Sequence, residues 1–369
     1  MEEPDKIFDL FQQKYESHFK LGKFLGKGGF GEVREIIKNS KVFAGKLVKK
    51  NYRGRKEINS AFEEDKKEEN ILLQIVSPNI VKIHKIYEEK FEINGKENTY
   101  NLIVMEKAVL KDLKTLNKNL FIDNKIANLI YLPFKEIIGD HLLKFFCRQI
   151  VKGLEVFDRN ELIHFDIKPE NILIFIELYL KITDFGLLKD VSNIEEIRIP
   201  GGTPGYLSPE YYKIRKYAIS KENAKKQDYF ALGSTIFLLK YGRPLIKLKI
   251  RKTIKSEEDK ENHDYIIDCI DKSTVFIRSD RVVDKDFANF LCSLIQIYPE
   301  ERPSFEEIYR NKWLNKNTGF LKKLLDGFRH DEPKLIMELR KSDYLIEKKK
   351  EIERNPRKKF IFNKKSKLI

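Results

Sequence analysis

Along the first third of the chain, apolar positions come in short runs broken by glycine and charge. Lys20–Leu25 predicts a strand running into a glycine cluster at residues 26–31, and Glu32–Ile37 predicts the strand that returns. Val42–Val48 has the same character. Lys56–Val76 contains no Gly or Pro and is rich in helix formers, which predicts a helix ended by Pro78. Val81–Tyr87 and Tyr100–Met105 return to strand, and Asn94-Gly95 between them is a strong hairpin-turn signal. Beyond Glu106 the pattern turns helical, first at His141–Val156 and then from Asp228 onward. Two short strands, Ile172–Ile174 and Leu180–Ile182, flank an apolar connection. Lys247–Asp264 is charged enough to predict a solvated loop, and residues 315–369 offer only candidate helices near 319–327 and 333–353.

Bulk composition narrows the class. The chain has 369 residues, 41% apolar and 12% aromatic, enough for a sizeable core. Three widely spaced cysteines argue against a disulfide framework and for a reducing compartment, hence a cytoplasmic or nuclear location. The six histidines show no metal-ligand spacing, so no zinc site is expected. Residues 1–14 read as a polar lead-in without a signal-peptide core, and the longest apolar runs are too short to predict a transmembrane segment. Net charge is +15, of which residues 345–369 supply +7 (ten Lys/Arg against three Glu). The basic excess is mainly a tail, suited to an acidic partner, an anionic membrane or nucleic acid, rather than the footprint of a nucleic-acid-binding fold.

Candidate chemistry begins in the glycine cluster, Gly26, Gly28, Gly29, Phe30, Gly31, followed by Val33. Glycines let a hairpin's N–H groups approach phosphate oxygens. A dinucleotide fold would put a helix directly after them; here a strand follows. Lys46 stands in the next strand, and Glu68 or Glu69 in the predicted helix could hold it. Further on come "IHFDIKPEN" at residues 163–171 and Asp184-Phe185-Gly186.

Together with "GTPGYLSPE", "DYFALG" and "ERPS", in this order, these motifs resemble the eukaryotic protein kinases over residues 15–315. The resemblance implies an α+β, bilobal, protein-kinase-like fold. A β-rich lobe with one main helix would span about residues 15–106, a larger helical lobe 107–315, and a basic tail 316–369. It also implies roles, since phosphoryl transfer depends on positioning and charge neutralisation. Asp166 would orient the acceptor hydroxyl and take its proton, and Lys168 would neutralise the γ-phosphate. Lys46, held by Glu68, would grip the α- and β-phosphates of ATP. Asn171 and Asp184 are hard oxygen ligands for Mg2+ or Mn2+. Leu25 and the glycine cluster would cover the nucleotide, Val33 and Ala44 would roof the adenine, and Leu173 would floor it. Met105 would stand behind it, Glu106 and Ala108 would offer backbone hydrogen bonds, and Asp112 would reach the ribose. Glu170 joins this set and resembles an acidic residue that some relatives use to recognise arginine. His164, Phe185, Leu72 and Ile83 would stack into a column anchored on Asp228, and Glu210 would pair with Arg302. Lys168 and Thr203 resemble the serine/threonine-specific branch.

The chain departs from the family pattern at Phe165, where many relatives carry an arginine that clasps a phosphorylated activation loop. Between Gly186 and Thr203 the only hydroxyl residue is Ser192. Both features predict activity that does not require activation-loop phosphorylation. The segment 114–137 is longer than the resemblance requires. The rival reading, a nucleotide-binding pseudokinase scaffold, would be expected to lack Lys46, Asp166 or Asp184, and all three are present.

Overall fold

The computed structural model describes residues 3–28, 31–50, 69–116, 135–175, 178–214, 217–247, 256–281 and 283–316. It has the two-lobed α+β arrangement expected from the sequence. In the smaller lobe, β1 (Lys20–Gly28), β2 (Gly31–Lys38), β3 (Lys41–Lys50), β4 (Ile83–Ile93) and β5 (Lys96–Glu106) form one antiparallel sheet. The strand order is β1-β2-β3-β5-β4. Asn94 and Gly95 turn the β4–β5 hairpin at φ 52° and 71°. Both values are positive, as a two-residue turn matching the strand twist requires.

Alternation along the strands gives the sheet two working faces. One carries Ile36, Leu47, Leu102 and Val104, and a helix lies against it: α1 (Glu3–Lys14), with Ile7, Phe8 and Phe11 fully buried. The polar lead-in expected at the N-terminus is therefore, over these residues, a docked element. Its apolar positions 7, 8 and 11 fall on one helical face, and acidic neighbours tie its rim to the sheet. Asp5 pairs with Arg34, which also lies over the Phe8 ring, and Glu3 accepts from Lys49 at 3.0 Å and Tyr100 at 2.8 Å. The other face carries Val33, Ala44, Ile103 and Met105 and looks toward the larger lobe.

The larger lobe is built around α2 (Lys135–Arg159) and α3 (Pro209–Ile214), followed by α4 (Lys221–Tyr241), α5 (Ser256–Ser279) and α6 (Lys285–Leu294). Helix α4 is buried along most of its length, from Ala224 to Phe237. Ser220 caps its start by accepting from the Asn223 N–H, and Gly242 ends it in the left-handed conformation. The short strands β7 (Ile172–Ile174) and β8 (Leu180–Ile182) have the bounds predicted for them and pair with each other. The loop expected over Lys247–Asp264 is helical from Ser256 on. Charge alone misled there: SEEDKENHDY has no breaker, and its leading acids suit a helix N-terminus. The candidate tail helices, Gly29, Phe30, Glu68 and most of the 114–137 segment lie outside the described residues. None of the helices described is long and apolar enough to cross a membrane.

Candidate active site

A buried aspartate shapes the loop that carries the chemistry. Asp228, on α4, accepts the backbone N–H of His164 at 2.7 Å through Oδ2 and that of Phe165 at 2.9 Å through Oδ1. These bonds hold Phe165 at φ 62°, a left-handed conformation that a bulky residue otherwise avoids. Burial pushes the Asp228 carboxyl up to about 7, against the pull of the two N–H donors. The His164 ring accepts from the Asp166 N–H at Nδ1 (3.2 Å), which leaves Nε2 to donate to the Thr183 carbonyl (3.1 Å). Burial also holds its pKa below the usual imidazole value. His164 is thus a neutral bracket rather than a base. It meets the Phe185 ring edge-on at 5.8 Å, with Leu72 and Ile83 in the adjoining core.

Asp166, three residues into "HFDIKPEN", is 3% exposed and is held on both oxygens. Its Oδ2 accepts from Lys168 Nζ at 2.6 Å and Asn171 Nδ2 at 2.9 Å. Its Oδ1 accepts from the Thr203 N–H at 3.0 Å and the Thr203 hydroxyl at 2.7 Å. Lys168 also donates to Thr203 Oγ1 at 2.5 Å. Thr203 reaches Asp166 because Gly202 precedes it. A Cβ on Gly202 would stand 2.7 Å from the Phe165 carbonyl oxygen, and its φ of 153° disfavours side chains.

Opposite this cluster, Lys46 on β3 forms an ion pair with Asp184, itself left-handed at φ 67°. Glu68, the expected partner of Lys46, is not among the described residues. The neighbouring Glu69 reaches Lys50, four residues along β3 from Lys46, at 2.6 Å and accepts from Asn101 Nδ2 at 2.6 Å. Among the described residues no cluster of three His, Cys, Asp or Glu could hold a metal alone. Asn171 spends its amide Nδ2 on Asp166, so its Oδ1 is the atom left to meet a cation beside Asp184. One amide and one carboxylate fit a hard divalent ion that takes its other ligands from water and phosphate.

The residues expected around an adenine also come together. Val33, Ala44, Met105 and Leu173 fall in one apolar cluster with Val81, Ile103 and Phe175. Gly26, Gly28 and Gly31 lie on the β1–β2 hairpin, and Leu25 on β1 is partly exposed. Ala108 lies half-buried in the connection after β5. Asp112 bridges to Leu173, beside the floor, and its carboxylate accepts from the Thr115 N–H at 2.8 Å. Glu170 is paired with Lys114.

The segment after Asp184 is tied down twice. Phe165 is buried in a cluster with Ile163, Val191 and Ala224, bordered by Leu187, Ile197, Ile199 and Ile219. Strand β9 (Lys189–Asp190) pairs with β6 (Leu162–Ile163), and β10 (Glu196–Ile197) pairs with β11 (Ile219–Ser220). Further on, Glu210 accepts both Arg302 Nη1 and Nη2 at 2.7 Å. Sequence reasoning had no signal for the cluster around Phe165, because its members come from four separate segments.

The protein kinase domain family matches residues 19–314. Serine/threonine-protein kinase polo of Drosophila melanogaster is 26% identical over 314 residues, 84% of this chain and 46% of that protein. Serine/threonine-protein kinase plk-2 of Caenorhabditis elegans is 28% identical over 268 residues, 72% and 36% respectively. Death-associated protein kinase 2 of Mus musculus is 25% identical over 237 residues, 63% and 56% respectively. The chain spans less than two thirds of the length of each of these relatives. Helix α1 precedes the matched region, whereas every motif of the site lies within it. The chain belongs to the protein kinase domain family.

Proposed function

We propose that this chain is a serine/threonine protein kinase that moves the γ-phosphoryl group of ATP onto protein serine or threonine hydroxyls. The observation that carries this reading is the arrangement around Asp166, a buried carboxylate held by Lys168, Asn171 and Thr203 facing the Lys46–Asp184 pair. An acceptor hydroxyl displacing Thr203 at Asp166 would be oriented by the carboxylate and give it the proton as its oxygen bonds to the γ-phosphorus. ADP leaves as the bridging P–O bond breaks. Lys168 and Lys46 supply positive charge on either side of the phosphates. A divalent cation, Mg2+ by preference, would neutralise phosphate charge between Asn171 and Asp184. The pseudokinase reading is not favoured, because Lys46, Asp166 and Asp184 are present and engaged with one another's surroundings.

Activity here does not need activation-loop phosphorylation. Where an arginine would wait for a phosphate, Phe165 packs against Val191, Ile197 and Ile199 of the activation segment, so apolar contact does the holding. Composition supports a cytoplasmic or nuclear location, and an acidic partner, an anionic membrane or nucleic acid for the basic tail.

The test is transfer of labelled phosphate from ATP to generic protein substrates, wild type against Asp166→Asn. Loss of the base should lower the rate by about 10²–10⁴-fold; equal incorporation by both would refute the mechanism. Phosphatase-treated protein and Ser192→Ala are expected to keep wild-type rates, and loss of activity in both would refute the phosphorylation-independent state.

A further inference from the structure

The connection between the lobes leaves β5 at Glu106 and Lys107, and both side chains are engaged on either side of it. Glu106 takes Lys181 of β8, in the larger lobe, with Nζ at 2.7 Å from Oε1 and 2.8 Å from Oε2. The same carboxylate accepts the Lys82 N–H at 2.7 Å, and the Glu106 N–H donates back to the Lys82 carbonyl at 3.0 Å. The Lys181 ammonium also sits 4.8 Å from the centre of the Phe175 ring, which belongs to the adenine-slot cluster. Lys107 reaches the other way, donating to Glu35 Oε1 of β2 at 2.7 Å. The second Glu35 oxygen accepts the Lys23 N–H at 3.1 Å, and Lys107 holds this carboxyl below the usual range. Room for Glu35 to fold across β1 comes from Gly22, where a Cβ would stand 2.8 Å from the Glu35 side chain.

We infer that Glu106–Lys181 and Lys107–Glu35 form a two-sided clamp on the interlobe connection that sets the height of the nucleotide slot. Lys181 and Glu35 are then positioning residues for an adenine nucleotide. Lys181 lies opposite Leu173, the slot floor, in the β7–β8 register. Glu35 lies opposite Ala44, the slot roof, in the β2–β3 register. Roof and floor are each one residue from a charge gripped by the same dipeptide. Both pairs are mostly screened from water, with side-chain exposures of 24% and 16% for Glu106 and Lys181 and of 33% and 15% for Lys107 and Glu35. They therefore hold better than surface pairs. A clamp that favours the binding-competent spacing raises apparent affinity by the fraction of molecules it keeps there.

The inference rests on the slot taking an adenine nucleotide, as proposed above. Binding of a fluorescent ADP analogue, and KM and kcat for ATP, are measured on the full chain. The proteins are wild type, Lys181→Met and the charge-conserving Lys181→Arg. Lys181→Met is expected to weaken ADP binding and raise KM about tenfold while kcat stays within about twofold, and Lys181→Arg, which keeps a cation on the Glu106 carboxylate, to retain most of the affinity. Wild-type affinity in Lys181→Met overturns the clamp even if its melting temperature falls, since a merely structural pair moves stability and not affinity. Should Lys181→Met fail to fold, Glu35→Gln carries the same comparison, and undiminished affinity there overturns the clamp as well. Wild type that binds no ADP analogue overturns the nucleotide reading, and the clamp with it.

Discussion

Arg302 spends all of its donors inside the protein. Besides its two bonds to Glu210, Nε donates to the Gln296 carbonyl at 2.9 Å, Nη1 to that of Lys226 and Nη2 to that of Ile297, and the guanidinium lies 5.0 Å from the Phe230 ring centre. Arg302→Ala would leave Glu210 buried and unpaired, and we expect unfolding free energy to fall by about 3–5 kcal/mol in urea melts. Arg302→Lys should recover little, because an ammonium cannot span the fork of carboxylate and carbonyls. An unperturbed melt for the alanine variant would contradict the buried pair. The resemblance to the kinase family named this pairing before any coordinates, and it named Asp166, Lys168, Asn171 and Asp184 as candidates. Asp166, Lys168 and Asn171 fall within one short motif, whereas Glu210 and Arg302, 92 residues apart, could be matched only through the order of motifs along the chain. Lys181 and Glu35 were not legible: each is an ordinary strand residue until packing sets it against the interlobe connection.

At the level of elements, the strands and their turns followed from short apolar runs and from Asn94-Gly95, while α1 did not. A three-residue apolar face in a short acidic segment carries too little pattern to stand out. What makes it a helix is the sheet face it covers, since isolated helices of this length are marginal in water. Phe8 is wholly buried there, beside Arg34. Phe8→Ala is expected to lower the unfolding free energy by about 3–5 kcal/mol through lost burial and the cavity left behind. Asp5→Asn, which removes only a partly exposed ion pair, should cost less than about 1 kcal/mol. Denaturant melts of both variants check the contrast, and equal costs would argue that ion pairs rather than the apolar face hold α1. The helix from Ser256 is the converse case, a segment whose charge pointed to solvent and whose lack of breakers was the better guide.

At the scale of the whole molecule, the buried groups under the loop that carries Asp166 make stability depend on pH in two opposing ways. His164 is held neutral by burial. Its contribution is therefore complete above the unfolded imidazole value of about 6.5 and is lost as pH falls. Asp228 is pushed up to about 7, so its contribution is complete below the unfolded carboxyl value of about 4 and is lost as pH rises toward 7. Between about pH 4 and 6.5 the two slopes oppose each other. Asp228→Asn removes the falling one, so its stability should rise with pH more steeply than that of wild type across this window. Denaturant melts at several pH values decide it, and parallel profiles would rule out a raised Asp228 pKa. The sequence by itself determined the two-lobed architecture and the candidate groups at the site, because short apolar runs, turn residues and short motifs act over a few positions. Only the tertiary structure decided what seats α1, what surrounds Phe165 and what grips Glu106 and Lys107. Lys181 and Glu106 are 75 residues apart in sequence, and whether such residues meet depends on how the lobes pack, which no local pattern encodes.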